Sequence, residues 1–324
     1  MKPESRIPLP SPLLALLALA LLGAATAAPA AAQEPGKLAI LSTTDVKGKI
    51  GPCGCKIPKG GFSRRASFTD SIQAQYDQVL VVDGGGFYPE SDHERELARF
   101  QIDGMKMVEV EVAGVGDRDL RFGMSYLRES AKSKKLELVC ANLVEKKSGK
   151  PLVSPWTVRK VGKVNVGVFG LISDKVDLGP SRDSLAVQDP MEAAKSAVAA
   201  LRKKGATVIV LLSQLGKLPA EDLVTAVDGI DVLISGRNSP VRGEGRQIKG
   251  TNVAYPGEQG QYLGVTLLTL DDKGAVSAGE SRSVALGAEV GERMDVYRAM
   301  QAFEDADRAR RSKIHTGGTP GEVH

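Results

Sequence analysis

The sequence predicts an α/β fold, with a layered core of buried strands between helices. Three observations lead there. Short Val, Ile and Leu runs alternate along the chain with longer amphipathic stretches. The short runs are almost continuously apolar, as strands covered on both faces are. Each of several runs also ends in a polar, glycine-containing loop, the place where α/β folds gather their chemistry.

Taken in order, LAILST (38–43) reads as a strand and leads into the loop TTDVKG. FSRRASFTDSIQAQY (62–76) has the spacing of a helix. VLVV (79–82) is a strand ending at Asp83, followed by DGGGFYPE. HERELARFQIDGMKM (93–107) is helical, VEVAGVG (110–116) a strand that opens into GDRDLRFG, and YLRESAKSKK (126–135) a helix. LELVCAN (136–142) and VNVGVFGLI (164–172) are strands. PMEAAKSAVAALRKKG (190–205) carries Pro at its start and Gly at its end, the asymmetry expected of a helix. ATVIVLLSQLG (206–216) and DVLISG (231–236) supply two more strands and the loops LSQLG and ISGRNSP. TNVAYPG, YLGVTLLTLD and AVSAGESRSVAL then read as extended strands, with DDKG as a hairpin turn. GERMDVYRAMQAFEDADRARRSK is a long polar helix before a Gly/Thr/Pro tail expected to be disordered.

Length and composition narrow the function classes. The chain has 324 residues, 42% hydrophobic and 25% charged, enough for one large core. Seven Phe, six Tyr and one Trp are too few for a stacking surface on single-stranded nucleic acid. The net charge of +4 comes from short basic clusters scattered among acids, a solvated surface rather than a nucleic-acid footprint. No nucleic-acid partner is expected. The first 32 residues have the plan of a cleaved export signal: Lys2 and Arg6, the apolar run LLALLALALLG, then small residues with Ala30 and Ala32 at an A-x-A site. No later stretch is long and apolar enough for a bilayer, so no membrane span is expected after signal removal. The expected organisation is therefore a signal over 1–32, one domain over 37–285, and a C-terminal helix and tail over 286–324. The expected location is periplasmic or secreted.

The five loops, in that order, resemble the catalytic domain of the 5′-nucleotidase family within the calcineurin-like metallophosphoesterases. GGFSRRA, CANL, VGVFGLIS and YPGEQGQYLGVTLLTLD add to the resemblance, which runs from about Lys37 to Asp272. It implies a two-sheet α/β sandwich flanked by helices, with two metal ions held at the strand ends. Residue by residue, the family's metal pattern breaks. Its D-x-H-G is Asp45-Val46-Lys47-Gly48 here. Its D-x-G-D is Asp83-Gly84-Gly85-Gly86, with glycine at the bridging carboxylate. Its G-N-H-E is Gly116-Asp117-Arg118-Asp119, its L-S-H-x-G histidine is Gln214, and its G-H-x-H histidines are Arg237 and Ser239. The three histidines of the chain, His93, His315 and His324, lie elsewhere.

Two cations held side by side need neutral imidazoles and a bridging carboxylate, and Lys and Arg offer no acceptor lone pair. No metal or other cofactor is therefore expected. The alternative is one hard divalent cation on Asp45, Asp83 and Asp117. Lys47, Arg118 and Arg237 are expected to face these acids as a metal-free ion-pair network, or to hold an oxyanion. The segment after Asp272 is too short for the nucleobase-stacking domain of full-length 5′-nucleotidases, so nucleotide specificity is not carried over.

Cys53 and Cys55 form Cys-Gly-Cys within PCGCKIPKGGFSRRA, a segment that resembles an exported branch of the same family with cysteine or selenocysteine in such a motif. Lys47, Lys49, Lys56 and Lys59 surround the pair and favour thiolates. A redox dithiol, a static disulfide and a soft-metal site are all open to this motif. Cys140 reads as a buried strand cysteine with a lesser role as resolving thiol. Redox work requires a separate partner protein, since no haem-attachment motif is present. The expected protein is thus a non-hydrolytic relative using Cys53 and Cys55 in thiol chemistry. The alternatives are a residual metal-dependent phosphoester hydrolase and a non-catalytic oxyanion-binding protein.

Overall fold

The computed structural model describes residues 36–91 and 93–316, so the export-signal expectation, the tail after residue 316 and His324 lie outside the described residues. Among the described residues there are fourteen strands: β1 (Lys37–Thr43), β2 (Val79–Asp83), β3 (Val112–Gly114), β4 (Glu137–Val139), β5 (Leu143–Glu145), β6 (Trp156–Val161), β7 (Val164–Ile172), β8 (Leu185–Val187), β9 (Val208–Gln214), β10 (Val232–Ser235), β11 (Arg246–Ile248), β12 (Thr251–Ala254), β13 (Tyr262–Leu270) and β14 (Val276–Ala285). The α-helices are α1 (Phe62–Gln73), α2 (Arg95–Met107), α3 (Met124–Ser133), α4 (Pro190–Lys203), α5 (Lys217–Ala226) and α6 (Met294–Thr316).

Twelve strands build two six-stranded sheets, in the orders β14-β13-β1-β2-β3-β4 and β11-β12-β10-β9-β7-β6. β1 to β4 run parallel, as do β7, β9, β10 and β12. Antiparallel strands close three of the four edges, and the fourth is β4, parallel to β3. The period-2 geometry of a strand sends alternate side chains to opposite faces. Leu38, Ile40, Leu80 and Val82 of one sheet therefore meet Val166, Val168, Val210, Leu212 and Ile234 of the other in a core between the sheets. The opposite faces pack under helices. Leu41, Val81 and Ala113 meet Phe62, Ala66, Ile102 and Met105 on one side. Phe169, Leu211 and Leu233 meet Ala194, Ala197, Leu201, Leu223 and Val224 on the other. The result is the expected sandwich, helix–sheet–sheet–helix, with the terminal helix added. It explains why the strands read as unbroken apolar runs: both faces of each central strand are dry.

This arrangement brings the C-terminal ends of β1, β2, β3, β9 and β10 to one end of the sandwich. Their loops, not the sheets, supply the polar cluster described next.

Candidate functional site

Asp45 follows β1 in a left-handed turn (φ 50°), a conformation Asp tolerates better than most residues. Backbone bonds lace this turn to the loop after β2: Asp45 N to Gly85 O at 2.8 Å, Lys47 N to Gly86 O at 3.1 Å, and Gly48 N to Phe87 O at 2.8 Å. Asp45 Oδ2 accepts from the Arg237 backbone N–H at 2.8 Å and from Thr44 Oγ1 at 2.9 Å. Asp83 is fully buried; its Oδ2 accepts from Thr43 Oγ1 at 2.6 Å and its Oδ1 from the Gly85 N–H at 2.9 Å. Gln214 Nε2 donates to Thr44 Oγ1 at 3.0 Å and to Gly85 O at 3.1 Å. Ser239 pairs with Ser235 at 3.0 Å.

A further carboxylate dominates this cluster. Asp119, fully buried in the short turn after β3, accepts four backbone N–H groups: Gly86 at 2.8 Å, Phe87 at 2.9 Å, Tyr88 at 3.1 Å and Gly116 at 2.7 Å. It ties the β2 loop to the β3 loop. Sequence reasoning passed over it as the last residue of GDRD. The signal available was its place after Arg118 in a loop dense in glycine.

Burial sets the electrostatics. It raises the Asp45 carboxyl above its usual range, against the Arg237 N–H, the Thr44 hydroxyl and the Lys47 charge. Burial likewise lifts Asp83 to about 6, opposed by Thr43, Gly85 and the Arg65 charge. Asp119 is pushed up to about 8 by burial despite its N–H donors. Arg65 is itself fully buried, stacked 4.7 Å over the Phe62 ring, and desolvation lowers its pKa to about 10.

The cations do not face these acids as expected. Lys47 pairs with Glu258. Arg118 pairs with Glu90 at 3.6 Å, and the Arg237 side chain donates to Lys175 O at 3.1 Å. The reason is local: neutral O–H and N–H donors already hold the carboxylates, so the long cationic side chains run outward to partners in better-solvated loops. The expected ion-pair network of Lys47, Arg118 and Arg237 with Asp45, Asp83 and Asp117 is therefore corrected. Arg118 and Arg237 line different cavities. Arg118 lines a cavity of about 520 Å³ with Arg121, Arg182, Asp117, Asp177 and Asp183.

The same geometry tests the metals that the fold family implies. Both oxygens of Asp83 and one of Asp45 are engaged by hydrogen-bond donors. At Gly86, where the bridging carboxylate would stand, φ is 74° and an added Cβ would lie 2.7 Å from Asp45 Oδ1. The residues present do not fit a pair of divalent cations. Nor do Asp45, Asp83 and Asp117 gather round one: Asp117 turns to accept from the Arg118 N–H at 2.8 Å. Among the described residues no three His, Cys, Asp or Glu side chains form a group able to hold a metal ion. His93 is exposed.

The cysteines stand in a separate loop. Cys53 and Cys55 are joined by a disulfide, with Cα atoms 5.3 Å apart. The loop is clamped at its base by Phe62 N to Ile50 O at 2.9 Å, Gly60 N to Leu286 O at 2.8 Å, and Cys53 N to Lys59 O at 2.8 Å. Cys55 is exposed, whereas Cys53 is half-buried and its sulfur accepts from the Lys59 N–H at 3.4 Å. Lys59 Nζ is drawn away to Tyr262 Oη at 3.1 Å, so it does not crowd the sulfurs as expected. Gly51 of the loop packs towards Met300 and Glu304 of α6. The loop thus leans on the terminal helix and on β13, while Arg118 lines its own cavity. Cys140 is fully buried, just after β4, and burial pushes its thiol up to about 12.

No family model matches the chain. It is 27% identical over 259 residues to the 2′,3′-cyclic-nucleotide 2′-phosphodiesterase/3′-nucleotidase of Yersinia enterocolitica, covering 66% of this chain and 39% of that protein. Among solved structures, the 5′-nucleotidase precursor from Thermus thermophilus superposes with a TM-score of 0.76 at 24% identity, covering 84% of this chain and 59% of that one. The calcineurin-like phosphoesterase YfkN from Bacillus subtilis does so with 0.74 at 21%, covering 83% of this chain and 97% of that one. The chain spans less than half the length of the Yersinia protein.

Proposed function

We propose that this divergent relative of the 5′-nucleotidases and calcineurin-like phosphoesterases is an exported protein that does not hydrolyse phosphoesters, and that Cys53 and Cys55 cycle between disulfide and dithiol with a separate redox protein. The observation that carries the reading is the contrast between the two loops. The carboxylates at the strand ends are engaged by O–H and N–H donors, whereas the Cys53–Cys55 bond stands in an exposed turn. Exposed disulfides are the ones open to thiol exchange.

A second reading is supported by Arg118. Its Nη1 is buried without a hydrogen-bond partner and it lines a cavity with Arg182. A guanidinium so placed suits an oxyanion. This would be binding without catalysis.

The test combines three measurements on the purified protein. They are metal content, turnover of p-nitrophenyl phosphate with added Mg²⁺ or Mn²⁺, and thiol count before and after reduction. The proposal expects no stoichiometric divalent metal, no turnover, and two thiols released by reduction of the folded protein. Stoichiometric metal with turnover that is lost in Asp83→Asn would instead establish the metal-dependent hydrolase.

A further inference from the structure

The two sulfurs of the turn differ in surroundings, and the difference assigns them different parts. Cys55 is exposed, next to Gly54, around whose Cα the space is open. Exposed Lys56 and Ile57 follow it. Cys53 is half-buried, its backbone is bonded to Lys59 O, and its Sγ accepts the Lys59 N–H at 3.4 Å. Thiol–disulfide exchange is governed by access to the sulfur attacked and by the stability of the thiolate that leaves. Both criteria favour the same direction here. Resting on the redox reading above, we propose that an incoming thiolate attacks Cys55 Sγ and that Cys53 leaves as the thiolate.

The step balances. The donor thiolate forms a bond to Cys55 Sγ, the Cys53–Cys55 bond breaks, and its electron pair departs on Cys53 Sγ. The Lys59 N–H, already directed at that sulfur, stabilises the negative charge that develops on it. A second donor thiolate then attacks the donor sulfur of the mixed disulfide. It releases Cys55 as thiolate and leaves the donor as a disulfide. Two donor thiols are oxidised by two electrons, the turn is reduced by the same two, and the two donor protons end on Cys53 and Cys55 or in solvent. The substrate class is a protein dithiol or a small thiol that can reach an exposed turn. A donor confined to a deep cleft cannot reach Cys55.

The order of attack is read by trapping. The oxidised full-length protein is exposed briefly to reduced glutathione, quenched in acid with a thiol-alkylating reagent, digested and mapped by mass spectrometry. The expected product carries glutathione on Cys55 and the alkyl group on Cys53, in excess over the reverse by roughly tenfold, from the open access to Cys55 and the N–H held on Cys53. Glutathione on Cys53, or spread evenly over both sulfurs, overturns the assignment while leaving the redox reading intact. A turn that stays closed in millimolar dithiothreitol under native conditions overturns the redox reading, and the assignment with it.

Discussion

Asp83 and Asp119 show how far a single buried residue is from its sequence description. As letters they belong to loops that look like remnants of a metal site; as groups in the fold they organise backbone. Asp119 satisfies four N–H donors that would otherwise be buried without partners. Asp83 leads to a pH prediction. Its folded pKa, about 6, lies above the ordinary 3.8 of an unfolded aspartate. The folded state therefore holds a proton that the unfolded state has released across that window. The stabilisation is fully present below 3.8 and is lost as pH rises through about 6. Asp119 extends the same trend to about 8. Denaturant unfolding should show stability falling as pH rises from 4 to 6, by at most about 1.4 kcal/mol per pH unit for each proton. Asp83→Asn should make that part of the profile shallower, leaving the Asp119 share; an unchanged slope would assign it to other groups.

Elements were legible where both faces of a strand are covered. VNVGVFGLI coincides with β7, buried at every position but Asn165, because a strand dry on both faces must be apolar nearly throughout. The β13–β14 hairpin was marked instead by its turn, DDKG, since β14 is exposed or half-buried at every position but Ser281. The helix at PMEAAKSAVAALRKKG was marked by its ends. The missed elements lack those marks. β6 (WTVRKV) is an edge strand, only half-buried over most of its length, and β11 (RQI) is an edge strand still more exposed. The helix α5 carries Pro219 in its first turn, where the missing N–H costs nothing but the sequence reads as a break. The terminal helix α6 was legible, but its role was not. Phe303 stacks on Phe100 of α2 with ring centroids 4.3 Å apart, and Met300 faces the cysteine loop. Phe303→Ala should loosen α6 by about 1–2 kcal/mol, less than a fully buried aromatic costs. Amide hydrogen exchange should accelerate along α6 and leave β1, β2 and β9 protected. Uniform acceleration would mean that α6 and the sheets open together.

For the whole molecule, the sandwich was readable because its instructions are redundant: many apolar runs each repeat the same message. The candidate site was readable only as positions. Which donor each carboxylate accepts, and that Lys47 reaches Glu258 while Arg118 reaches Glu90, depends on loops brought together from distant parts of the chain. No local pattern encodes such pairings.

The clamped base of the cysteine loop carries one last consequence. The disulfide spans a separation of two residues, so the ring it closes is tiny and restrains the unfolded chain little, below about 2 kcal/mol. The backbone bonds at Ile50–Phe62 and Gly60–Leu286 do not involve sulfur and hold the loop ends in either state. Oxidised and reduced protein should therefore melt within about 4 °C of each other. A clamp of this kind makes the turn's covalent bond almost separable from the fold: whether the bond is closed or open, the frame around it should stand alike.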